Sequence, residues 1–251
     1  MELVLITALG VGGATVLGAI IGFLFKKLSH SLSDIILAFA CGVMLAAAVM
    51  GLILPSIEIF KEKWGVFLVV AGIFTGAIFL NVIDKIVPHL HNMAGRDQEK
   101  HNNKDINKVL LFVTAIAIHN LPEGIASGVG FGSGNTSHAI MIALGIALQN
   151  IPEGMVIIAP MLAAGISPKK TFLIASFTGF IEVVGTFIGY FAVSLSNTIL
   201  PFALSFAGGT MLYVISDEML SETHGHGSQR GATYALLIGF CLMLIFDVLL
   251  G

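Results

Sequence analysis

The sequence predicts an all-α membrane protein with eight transmembrane helices, and three observations lead there. Of its 251 residues, 56% are hydrophobic and only 11% charged, against about 25% charged in soluble domains, and the mean hydropathy is +0.96. The apolar residues gather into runs long enough to cross a bilayer, where a helix needs about 20 residues for ~30 Å of hydrocarbon. The runs are continuous rather than alternating with period two, so they read as helices and not as barrel strands.

Cut at charges and turn residues, the spans fall at about 3–25, 34–57, 65–87, 108–130, 137–164, 170–194, 199–220 and 231–250, within one domain that takes in the whole chain. The first run, Leu3 to Phe25, exceeds a signal-peptide core and follows no basic stretch, so it reads as a span. Span two ends near Ser56, Glu58 and Glu62, polar residues that could draw cations to an outer entrance. The polar connection 89–107 reads as a cytoplasmic loop, and its His89, His91 and His101 could bind metal loosely. His224 and His226, between spans seven and eight, have the same standing. Cys41 and Cys241 lie in apolar runs and read as small buried packing residues.

Basic residues set the expected orientation. Ten of the 12 Lys and Arg follow odd-numbered spans, and only Lys61 and Lys63 lie on the other side, which places both termini outside the cytoplasm. The net charge is −3 and the basic residues form no stripe, so a nucleic-acid partner is excluded.

Spans four and five carry the chemistry. His119-Asn120-Leu121-Pro122-Glu123-Gly124 recurs 30 residues later as Gln149-Asn150-Ile151-Pro152-Glu153-Gly154. Ionisable groups at membrane depth are costly and mark functional sites. On a helix, His119 and Glu123 share a face about 6 Å apart along the axis, with Asn120 on the adjoining edge, and Gln149, Asn150 and Glu153 repeat the pattern. Two such helices, antiparallel across a short loop, can bring an imidazole, amides and two carboxylates together, a donor set that suits a divalent cation. Pro122 and Pro152 leave the carbonyls of Ile118 and Leu148 without their helical donors, as in transporter ion sites built from interrupted helices. Glu182 has no charged neighbour within its own span and is expected to be a further ligand. Asp217 and Glu218 read equally as exit-path ligands or as helix-end acids.

These residues resemble the Zrt-/Irt-like (ZIP) metal transporters, most closely the bacterial branch, with His-Asn-x-Pro-Glu-Gly in the fourth helix and a Gln- or His-led copy in the fifth. The likeness covers the whole chain. It implies a two-metal site, one position formed by His119, Glu123, Gln149 and Glu153, the other by Asn120, Glu123, Asn150, Glu153 and Glu182, with Glu123 and Glu153 bridging. It implies an inverted repeat of helices one to three and six to eight around the central pair, and a unit of helices one, four, five and six that moves against two, three, seven and eight. The fifth helix departs from the eukaryotic His-Glu-x-Pro-His-Glu, so the site is oxygen-rich and strict zinc selectivity is not expected.

The resulting expectation is a multi-pass protein of the cytoplasmic (inner) membrane, not an enzyme, that imports Zn2+ by alternating access. Fe2+, Mn2+, Co2+ and Cd2+ are further candidate substrates. Its partners are divalent ions and the lipid bilayer, with a homodimer left open. Two other readings stay open: an intramembrane metal-dependent hydrolase, which lacks His-Glu-x-x-His spacing, and a transporter of protons or another cation that uses the carboxylates as relay groups.

Overall fold

A computed structural model describes residues 1–25, 29–59, 63–86, 104–131, 134–195, 197–224 and 229–250. The expectations placed on Glu62, His89, His91, His101 and His226 fall outside these residues. The described residues are helical throughout apart from short turns, with no strand among them.

Helix α1 spans Glu2–Leu24. Helix α2 runs through His30–Ala46, a π-helical stretch Ala47–Ile53 and a last piece Leu54–Ile59. There follow α3 (Gly65–Ile86), α4 (Lys104–Gly130), α5 (Thr136–Ala163) and α6 (Pro168–Leu195). Helix α7 comprises Leu200–Val214, a π-helical stretch Ile215–Met219 and Leu220–His224, and α8 spans Gln229–Leu250. By length and composition α1, α2, α3, α5, α6, α7 and α8 can cross a membrane. The 27-residue α4 packs among them.

Polar caps place two helix starts ahead of the apolar runs. Ser29 Oγ accepts the Leu32 N–H at 3.3 Å, so α2 begins at His30 rather than near residue 34. Asn135 Oδ1 likewise accepts the His138 N–H at 3.2 Å and opens α5. Each satisfies an N–H that the first helical turn would leave bare. Helices α4 and α5 continue through Pro122, Pro152 and Pro160. The wide turns lie in α2 and α7 instead, in π stretches of a kind that recurs at functional sites.

Packing divides the helices into two groups. Helices α1, α4, α5 and α6 close a ring, α1 and α4 each lying against both α5 and α6. In the second group α2 packs on α8, α3 on α7, and the π stretch of α2 on α7, while α2–α5 and α4–α7 join the groups. Exchanging α1 with α6, α2 with α7, α3 with α8 and α4 with α5 maps each of these packings onto another or onto itself. The two π stretches exchange as well. An internal repeat of this kind is common in transporters.

The most apolar window of α5 is 67% buried, against 22% in α3 and α8, so α5 is central and the other two are peripheral. The core beside α5 is filled by Met44, Leu52, Met141, Ile142, Leu204, Met211 and Met243. Phe67, Phe74, Phe177 and Ile238 are exposed, as apolar side chains facing acyl chains should be. The expected burial of both cysteines is corrected here: Cys41 is buried, but Cys241 is exposed on the outer face of α8 beside Leu237 and Ile245.

Candidate metal site

The last residue of each hexad is a glycine because a backbone sits where its side chain would be. A Cβ on Gly124 would lie 2.3 Å from the carbonyl oxygen of Glu182 on α6, and one on Gly154 would lie 2.2 Å from that of Thr15 on α1. Only glycine lets helix backbones approach so closely. Helices α1 and α6 cross at Gly12 and Gly179 in the same manner. Thr15 and Glu182, the two backbones that receive the hexads, thereby meet each other. The Thr15 hydroxyl donates to Glu182 Oε1 at 2.6 Å across a sequence separation of 167 residues. The same interval separates Gly12 from Gly179 and Gly18 from Gly185, which gives the register of the repeat between α1 and α6.

Glu182 is fully buried. The Asn120 amide donates to its Oε1 at 2.5 Å, and the Asn150 amide donates to its Oε2 and, at 3.2 Å, to the Val11 carbonyl. The Gln149 amide donates to Glu123 Oε1 at 2.7 Å. The three carboxamides therefore direct their N–H groups at carboxylates. What remains is a set of buried oxygens without a donor: Asn120 Oδ1, Glu123 Oε2, Gln149 Oε1, Asn150 Oδ1 and Glu153 Oε1. Each such acceptor costs about 1–3 kcal/mol when buried unpaired. The carboxylates of Glu123, Glu153 and Glu182 also repel one another. A cation relieves both penalties, and hard oxygen donors suit a divalent one. Among the described residues no three His, Cys, Asp or Glu side chains form a ready ligand set; carboxamides join the acids here.

His119 is buried at the edge of this group, and its Nε2 lies 2.8 Å from Glu218 Oε1. Glu218 belongs to the π stretch of α7, the helix that packs on α4. Asp217, beside it, is exposed. Of the two acids with open roles, only Glu218 is thus placed at the hexads. The repeat is unequal at this point. Gln149 is the counterpart of His119, and Gly51 stands 167 residues before Glu218, so the equivalent α5–α2 contact lacks both imidazole and acid.

Ser56 is buried and donates to the Pro201 carbonyl at 2.6 Å, tying α2 to α7 rather than lining an entrance. Sequence reasoning missed Thr15, which belongs to no motif. The signal that could have found it is its 167-residue spacing from Glu182, matched by the flanking glycines.

A family model described as ZIP Zinc transporter matches residues 95–247. The chain belongs to the ZIP family. The matched region of this ZIP chain takes in both hexads, Glu182 and Glu218, and excludes Thr15. A protein named Zinc transporter GufA from Myxococcus xanthus is 38% identical over 98% of both chains. Zinc transporter ZIPB of Bordetella bronchiseptica is 33% identical over 95% of this chain and 78% of its own, and Zinc transporter ZupT of Chlorobaculum parvum is 34% identical over 93% and 92%. The ZIP chain is therefore a multi-pass, all-α membrane protein of a transporter family.

Proposed function

We propose that this ZIP chain carries divalent metal, zinc first, across the cytoplasmic membrane into the cell, with the ions bound between α4, α5 and α6. The observation that carries the reading is the set of five donorless buried oxygens, all on the two hexads. The names of the relatives favour zinc. One imidazole among many oxygens favours a wider range that includes iron, manganese, cobalt and cadmium. Two ions share the site, bridged by Glu123 and Glu153, the first also held by His119 and Gln149, the second by Asn120, Asn150 and Glu182.

Helix α4 is the eighth span in this reading, and the distribution of basic residues puts both termini outside the cytoplasm. Alternating access moves the ring of α1, α4, α5 and α6 as a body against the other four helices. Packing supports that division: within the ring Gly124 and Gly154 meet backbone, whereas between the groups Gly145 meets the flexible Met243 side chain and Gly51 that of Ile142.

Purified protein in proteoliposomes tests the function, with zinc uptake, peptide cleavage and proton flux measured together. Zinc uptake without cleavage is expected. Cleavage would favour a hydrolase, and proton flux indifferent to metal would favour a proton path.

A further inference from the structure

Glu182 is held by three side chains from three helices. Thr15 from α1 and Asn120 from α4 donate to Oε1, at 2.6 and 2.5 Å, while Asn150 from α5 donates to Oε2. All four residues are buried to within 1%. An amide whose N–H is fastened to a carboxylate must turn its oxygen the other way. Asn120 Oδ1 and Asn150 Oδ1 are two of the five donorless oxygens, so Glu182 sets the direction of both, and the Thr15 hydroxyl holds the Glu182 carboxylate.

We propose that Thr15 is a positioning residue for the metal site: its hydroxyl fixes Glu182, which in turn aims the Asn120 and Asn150 oxygens at the second metal position. The role rests on the metal-site reading above and adds a helix to it. Helix α1 gives the site no ligand, yet the repeat places a hydroxyl at position 15 where α6 has the carboxylate of Glu182. The backbone contacts repeat with it, since Gly154 rests on the Thr15 carbonyl as Gly124 rests on that of Glu182. The two half-repeats thus contribute complementary ends of one hydrogen bond. Without the Thr15 donor, Glu182 is released from α1 and the two amides lose a common anchor. His119 lies against Glu218 and Gln149 against Glu123, so the first position is expected to stay as it is.

The test uses the full chain in lipid nanodiscs with zinc alone as the probe. Binding stoichiometry and affinity are measured for the parent, Thr15→Val, Thr15→Ala and Thr15→Ser. The parent is expected to bind two zinc ions. Thr15→Val and Thr15→Ala should weaken one of the two sites about tenfold or more, as loss of a hydrogen bond to a charged group implies, and leave the other unchanged. Thr15→Ser should restore both, because it keeps the hydroxyl and loses only a methyl group. Two parent-like sites in Thr15→Val or Thr15→Ala would overturn the role of Thr15. So would a Thr15→Ser variant as weak as Thr15→Val, because packing rather than the hydroxyl would then matter. A parent that binds no zinc would overturn the metal-site reading itself, and this role with it.

Discussion

Glu218 and His119, 99 residues apart in sequence, meet at 2.8 Å where α7 lies against α4. The imidazole nitrogen that could ligate a metal is engaged by an acid from outside the ring. In the proposed site a metal ion would compete with Glu218 for His119, and would displace the acid or be handed to it. Glu218→Gln keeps the shape and removes the charge. Equilibrium zinc binding should tighten and the maximal uptake rate should fall by several-fold. Unchanged binding and rate together would make the contact a mere helix-end pairing.

Glu153 Oε1 is buried and has no donor. Replacing this side chain with the isosteric amide in Glu153→Gln removes a charged ligand and also a charge repelled by its neighbours. Uptake should drop by more than the roughly 10–100-fold typical of losing a partner behind a ligand. Thermal stability of the metal-free protein should be equal or higher. Near-normal uptake would remove Glu153 from the site.

Gly124 and Gly154 sit where a Cβ would lie 2.3 and 2.2 Å from a carbonyl oxygen. Backbone cannot step aside as a side chain can, so Gly124→Ala and Gly154→Ala should each cost about 1–3 kcal/mol or more through overpacking. Thermal melting of the purified variants reads this directly. Gly13→Ala is the control, because nothing lies within 4 Å of its added Cβ.

The inequality of the repeat bears on metal choice. Gln149 holds Glu123 through its amide and leaves its own oxygen without a donor. Gln149→His would supply a second imidazole, which should strengthen zinc binding and help manganese less. Competition uptake with both metals checks this, and an unchanged preference would exclude Gln149 as a ligand.

Orientation can be read with single cysteines in a chain whose Cys41 and Cys241 are replaced by alanine. A cysteine at Asn103 should be labelled only from the cytoplasm, and one at Asn135 only from outside. The opposite pattern would reverse the assigned direction of transport.

The sequence by itself determined what kind of molecule this is and which residues the candidate site is drawn from. Hydropathy acts span by span, and the hexads place His119 with Glu123, and Gln149 with Glu153, through the pitch of a single helix. Such properties need no knowledge of partners. The start of α2 was less legible, because Ser29 caps the helix ahead of the apolar run, and so was the π stretch of α7, which no proline marks; Pro55 follows the one in α2. Only the tertiary structure decided what the hexads meet. Glu182 lies 62 residues from Asn120, Glu218 lies 99 from His119, and Thr15 lies 167 from Glu182. Pairings over such distances depend on which helices cross and on glycines that let their backbones touch, and local spacing carries neither. The same crossings gave Glu182 three hydrogen-bond donors from three other helices, and made α1, which bears no motif, a wall of the candidate site.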